Sequence, residues 1–253
     1  MQRNFRFSFL NGNVIKILAA VLMTIDHVGL VFWPQNQVLF AVGRLSMPLF
    51  AFMIAEGAHY TKNKLKYLAL IFVLGVLCQV VFYFSERSLY LGILITFTIS
   101  IITIYALQFF KAKLSHGNII EKIYSFLMFI GCVVLAFFLN KWLKIDYGFW
   151  GSMLPVFASI FRFDLFDLFK KESQSESMAK RKLDFIPINL LAFAIGLVLV
   201  CIALGDIQYY SLLSLPILLF YSGKRGKAKI KYFFYIFYPT HLAILYGISM
   251  LIG

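Results

Sequence analysis

Long apolar runs alternate with short polar, mostly basic breaks from one end of the chain to the other. Nine such runs stand out, at about 14–33, 38–57, 66–84, 89–110, 122–140, 148–163, 185–205, 208–222 and 231–252, most of them close to the roughly 20 residues a helix needs to cross a bilayer. The pattern therefore predicts an all-α, polytopic membrane bundle of about nine transmembrane helices, with about eight to ten bracketing the count. The sixth and eighth runs are short, and a tilted, broken or partly re-entrant course is expected for them. No internal repeat stands out, and residues 1–253 read as one integral-membrane domain.

Composition makes the bilayer the necessary solvent. Of the residues, 61% are hydrophobic, 18% aromatic and only 14% charged, where a soluble domain carries about 25% charge. The distribution of charge adds an orientation. Of the 24 Lys and Arg, 20 fall at the N-terminus or in alternate breaks, around Lys62–Lys66, Lys111–Lys122, Arg162–Lys182 and Lys224–Lys231; only Arg87, Lys141 and Lys144 fall in the others, and Arg44 lies within a run. The positive-inside rule then puts the N-terminus in the cytoplasm and, after an odd number of spans, the C-terminus outside. No cleavable signal is expected, since the first run is long enough to span and lacks a small-residue exit. The net charge of +13 is accounted for mainly by topology and gives no reason to expect nucleic acid; the basic breaks also suit anionic lipid or a phosphorylated cofactor. Cys78, Cys132 and Cys201 all sit in apolar surroundings and are expected to be packing residues.

Function should lie where ionisable groups are forced into hydrocarbon. Asp26 and His27 fall in the first run, Arg44 and Glu56 in the second and His241 in the last. No zinc-ligand motif, P-loop, nucleophile elbow or dinucleotide fingerprint occurs, and no metal is expected. Lys16 and His27 are separated by ten residues. Eleven helical steps of about 100° come within about 20° of three turns and rise about 16.5 Å, so both side chains face one way. One stripe thus connects an interfacial cation with a deep imidazole, a group suited to general base work near neutral pH. A snorkelling lysine and a bundle histidine would give the same spacing.

Asp26 points about 100° away from His27. A hairpin brings Arg44 to similar depth, so an Asp26–Arg44 ion pair is expected; Arg44 could instead meet a developing oxyanion or a carboxylate. Pro48 frees the carbonyl of Arg44 and Pro239 that of Tyr235, so kinks are expected beside Arg44 and beside the polar group Tyr238, Thr240 and His241. His241 reads equally as a packing residue or a substrate ligand, and Glu56 as an interfacial helix-end charge.

Three blocks carry a resemblance: Lys16-ILAAVLMTIDHVGL, GRLSMPLFAFMIAEG from Gly43 to Gly57, and YFFYIFYPTHLAILY from Tyr232 to Tyr246. In order and spacing they resemble the TraX family, whose founding member is the F-pilin acetylase, an integral membrane protein. The Lys-x10-His feature is also similar to the Arg/Lys-x10-His signature of the acyltransferase-3 proteins. That likeness implies acetyl-CoA as a cytosolic acyl donor and an acceptor at or beyond the plasma membrane of a bacterium, either the N-terminus of a pilin-like peptide or a surface glycan. It implies His27 as the catalytic histidine and Lys16 on the cofactor side. Asp26 and Arg44 join His27 as candidate catalytic residues, Lys224 and Arg225 join Lys16 as candidate cofactor ligands, and His241 and Tyr238 are candidate substrate ligands. The middle third carries no recognised motif, so the acceptor stays open.

Two other classes fit the residues. A proton-coupled small-solute transporter would use Asp26, His27, Arg44 and His241 as a relay. A scaffold for a surface organelle would need the bundle but not the aligned Lys16 and His27.

Overall fold

The computed structural model describes residues 9–87, 89–162, 186–226, 228 and 231–252. Arg3, Arg6, the polar run from Lys170 to Lys182, Lys227 and Lys229 lie outside the described residues. The described elements are helices: α1 Gly12–Phe32, α2 Gln37–Gly43, α3 Ser46–Tyr60, α4 Lys64–Glu86, α5 Ile93–His116, α6 Ile119–Trp142, α7 Gly148–Phe157, α8 Ile186–Leu204, a 3-10 helix Asp206–Leu213, α9 Ser214–Leu219 and α10 Lys231–Ile252. Among the described residues five stretches are long and apolar enough to cross a membrane: α1, α2 with α3, α4, α5 and α6. The protein is a helical membrane bundle.

Helix α5 runs through its centre, packed against α3, α4, α6 and α7. Its hydroxyls explain how a polar stripe tolerates that position. Thr98 and Thr103 donate to the carbonyls of Leu94 and Ile99, and Ser100 donates to the carbonyls of Thr96 and Ser152, so no donor is stranded. The outward faces of α4 and α6 expose Phe72, Val76, Leu77, Phe126, Leu127 and Leu135, as a lipid-facing surface requires.

Contacts sort the breaks between helices into two ends, in the grouping that the charges suggested. At one end Tyr105 donates to the Lys64 carbonyl, the Lys111 ammonium donates to the carbonyls of Ser159 and Arg162, and Leu10 bridges to Tyr221. At the other end Leu91 bridges to Ile145. The basic segment 224–228 is tied to the start of α1: the N–H groups of Gly12 and Asn13 donate to the carbonyls of Lys224 and Arg225, and the Asn13 amide donates to that of Ala228. Asn11 caps α1, accepting from the N–H groups of Asn13 and Val14.

Three local outcomes add detail to the sequence pattern. The second run is not one helix, because α2 stops at Gly43 and α3 starts at Ser46. Proline at 48 cannot supply the N–H that would meet the carbonyl of Arg44, and Ser46 turns its hydroxyl across to the Ala19 carbonyl at 2.8 Å. Where a kink is expected beside Arg44 the helix is interrupted, and Pro239 lies inside the continuous helix α10. The eighth run is split between the end of the 3-10 helix Asp206–Leu213 and the short α9. At about 2.0 Å per residue, against about 1.5 Å for an α-helix, eight 3-10 residues reach farther than their number suggests. They pack near α2, and Tyr221 beyond α9 donates to Glu56 at the far end of α3. Glu56, near the end of α3, is buried within the protein, 6% exposed, and is held by an ion pair with Arg162 as well as by Tyr221 at 2.7 Å. A buried anion needs such partners to keep its charge.

Candidate active site

A cavity of about 290 Å³ opens between α1, α2, α4, α5 and α10, and its polar wall includes Asp26, His27, Arg44, Gln79, Asp146 and Tyr147. Each arrives for a local reason. Gly43 lets α2 approach α1 so closely that a Cβ there would overlap the side chain of Asp26, and Gly29 similarly admits Leu39. With the backbones in contact, Arg44 reaches across. Its Nη2 donates to both carboxylate oxygens of Asp26, at 2.9 and 3.1 Å. Its Nη1 stands 3.5 Å from the Tyr147 hydroxyl, and its buried Nε has no hydrogen-bond partner among the described residues.

The outer wall comes from two connections. Asp146 lies between α6 and α7; its N–H donates to Leu91 and its carbonyl accepts from Thr96, while Tyr90 donates to its Oδ1 at 2.9 Å. Burial pushes the Asp146 carboxyl up to about 6, against the opposing pull of the Tyr90 hydrogen bond and of Arg44. Tyr147 follows in the left-handed region with φ 58°, an uncommon conformation for a bulky residue and one that accumulates at functional sites. Burial raises its phenol above the ordinary value. From α4, Gln79 accepts the Gly92 N–H through Oε1 at 3.4 Å, while its buried Nε2 has no hydrogen-bond partner among the described residues. A buried amide donor without a partner is costly in a finished structure and marks a place where something else can accept.

A second cavity, of about 130 Å³, lies toward the basic end and is lined by Lys16, Asn13, Tyr67 and Arg225. The two cavities share Phe50, Ile93, Leu94, Phe97 and Tyr238 as walls. Lys16 and His27 therefore line neighbouring compartments along one side of α1. Tyr238 stands at the junction. Lys224 meets α1 through its backbone and is exposed, so of the two loop cations Arg225 is the one on the cavity wall. His241 takes a different place from Tyr238: His27 contributes to the cavity wall, and the ring of His241 lies against His27, with Nε2 2.9 Å from His27 Nδ1.

Sequence reasoning singled out Asp26, His27 and Arg44, which the fold brings to one cavity, but missed Gln79, Tyr90, Asp146 and Tyr147. A signal existed for two of them. Gln79 interrupts the apolar run of α4, and Asp146 is an acidic residue in a short break before Gly148. Cys78, expected to be packing, is a free thiol on the cavity wall. Among the described residues no group of three or more His, Cys, Asp or Glu side chains converges as metal ligands do.

A helical bundle with an imidazole, an arginine–aspartate pair and tyrosines around an internal cavity defines a polytopic membrane protein with a built polar site at depth. The family described as TraX protein matches residues 11–249, and the chain belongs to that family. It is 29% identical over 271 aligned positions to a probable fimbrial assembly protein FimC, serogroup H1, of Dichelobacter nodosus, covering 99% of each chain. It is 26% identical over 136 positions to an uncharacterized protein of Rickettsia prowazekii, covering 54% of this chain and 50% of that one. No solved structure matches.

Proposed function

We propose that the protein is a membrane-embedded acetyltransferase of the bacterial plasma membrane, a single unit over 1–253 with its N-terminus in the cytoplasm, that takes acetyl from cytosolic acetyl-CoA. The observation that carries this reading is the shared wall between the Lys16–Arg225 cavity and the His27–Arg44 cavity. Two cations at the basic end suit the phosphates of the donor, with Lys224 beside them at the surface. The narrow, largely apolar passage past Phe50, Phe97 and Tyr238 suits its thin pantetheine arm, and the wider compartment gives room for the acyl carbonyl and the acceptor.

His27 takes the proton from the acceptor amine or hydroxyl while that nitrogen or oxygen forms its bond to the acyl carbon. The carbon–sulfur bond breaks, and the imidazolium returns the proton to the departing thiolate. Arg44 and the Gln79 amide are donors for the oxygen on which negative charge develops. Asp26 keeps Arg44 in place. The fimbrial relative's name favours a pilin-like peptide over a surface glycan as acceptor, and the outer rim of Tyr90, Asp146 and Tyr147 is where it would enter.

The test is transfer of labelled acetyl from acetyl-CoA into the membrane and pilus fractions of cells expressing wild type or His27→Ala at equal levels. Loss of about 10²–10⁴-fold in the variant is expected for removal of a general base. Near-normal transfer would reject His27, and transport of a solute without acetyl-CoA would favour the relay reading.

A further inference from the structure

Behind His27 the hydrogen bonds decide where its proton sits. His241 Nδ1 lies 3.0 Å from the carbonyl oxygen of Phe237, one turn earlier in α10. A carbonyl cannot donate, so Nδ1 of His241 carries the proton, and in the neutral ring its Nε2 is a bare lone pair. That lone pair is 2.9 Å from His27 Nδ1. Two bare nitrogens would repel, so His27 Nδ1 must carry a proton and donate it. The basic lone pair of His27 is then on Nε2, at the ring edge away from His241, while the residue lines the cavity.

The arrangement is held on all sides. Phe237 stacks on His241 with centroids 5.0 Å apart and planes 9° apart, Tyr238 meets it edge-on at 5.5 Å, and His241 is 7% exposed. The imidazole of His241 has no freedom to turn its other nitrogen toward His27 without breaking the bond to Phe237. An imidazole without such a partner favours the opposite tautomer, with the proton on Nε2, and would present a donor to the cavity instead of a base.

We propose that His241 is a positioning residue, which fixes His27 in the Nδ1–H tautomer and so turns the Nε2 lone pair toward the reacting atoms. The proposal rests on the acetyltransferase reading only for its catalytic consequence; the tautomer is a property of the resting protein. A neutral histidine here fills the role that a carboxylate fills in many base–orienter pairs, without adding an anion at membrane depth.

Nitrogen NMR of protein labelled at the histidine rings, reconstituted in lipid, reads the tautomer directly, with the His27 signals assigned by their loss in His27→Ala. The expected wild-type pattern is a protonated Nδ1 and an unprotonated Nε2. His241→Phe keeps an aromatic ring but removes the acceptor: His27 should move to the Nε2–H form, and kcat for acetyl transfer should fall by at least about tenfold with KM for acetyl-CoA unchanged. His241→Gln, whose carbonyl oxygen can stand near the old Nε2 position, should restore both. A wild-type spectrum with the proton on His27 Nε2 overturns the proposal, and decides it even where His241→Phe does not fold. So does a folded His241→Phe protein with unchanged tautomer and kcat. The stated tautomer in a protein that transfers no acetyl would uphold the orientation of His27 and overturn the acetyltransferase reading.

Discussion

Arg44 holds both oxygens of Asp26 through a single nitrogen, Nη2, at 2.9 and 3.1 Å. The geometry leaves Nη1 and Nε of the same guanidinium directed elsewhere, with Nη1 toward Tyr147 and Nε without a partner among the described residues. The pair joins α1 to the α2–α3 break and leaves donors over for a ligand. Removing only the cation would strand a partly buried carboxylate. Arg44→Met is therefore expected to lower stability by about 3–5 kcal/mol, and Asp26→Asn combined with Arg44→Met by clearly less, because no uncompensated charge remains. Thermal unfolding of the purified variants in one detergent checks the order.

The close approach of the helices depends on residue 43. A Cβ at Gly43 would overlap the Asp26 side chain, so Gly43→Ala should push α2 away and lengthen the ion pair. The expected outcome is a lower unfolding temperature than wild type, with little further loss when Gly43→Ala is combined with Asp26→Asn. Additive losses would show that the glycine acts elsewhere.

Asp146 supplies a pH dependence with a defined sign. Its carboxyl is raised to about 6 in the folded protein from the usual 3.8, so between these values the folded state binds more protons than the unfolded one. This group's contribution to stability therefore falls as pH rises through that window, and above about pH 6 the buried anion is a net cost. Asp146→Asn should remove that contribution. Relative to wild type, the variant should gain most in unfolding temperature at pH 7 and least at pH 4, as followed by thermal scans across that range.

Cys78 is a natural reporter of the cavity. It lines the compartment with His27, while Cys132 and Cys201 do not. In a Cys132→Ala, Cys201→Ala background, a small thiol reagent should modify Cys78 and saturating acetyl-CoA should slow that reaction. Phe97→Trp, which enlarges the wall between the compartments, should weaken the protection. Mass spectrometry of the modified peptide gives both rates.

How much of this was written in the sequence follows from what membranes do to charge. His27, Asp26 and Arg44 stand out because an ionisable group in an apolar run is costly, and the hairpin register alone paired two of them. The two-ended sorting of the basic breaks was equally legible. Tyr147 was not, and Asp146 showed only as an acidic residue in a short break, because a polar residue between helices carries no such cost until tertiary packing buries it, and it is the bridge between Leu91 and Ile145 that brings their connection to the cavity. Glu56 looked like a helix-end charge because its partners, Arg162 and Tyr221, are more than a hundred residues away. The 3-10 course of Asp206–Leu213 shows only in the spacing of Gln208, Ser211 and Ser214, a buried polar row every three residues that is too short to stand out in the sequence. His241 was visible as a polar group in the last span, but its contact with His27 is set by the packing of α10 on α1.

The proposed reaction requires that acetyl-CoA enter at Lys16 and reach His27. Equilibrium titration of the purified full-length protein with acetyl-CoA, followed by thermal shift, tests it most directly when run beside Lys16→Ala and His27→Ala. The expected result is saturable stabilisation of the wild type, a weaker affinity in Lys16→Ala and an affinity close to wild type in His27→Ala, whose side chain lies beyond the cations proposed to hold the donor. No stabilisation of folded wild-type protein by acetyl-CoA, or equal affinity in Lys16→Ala, would contradict it.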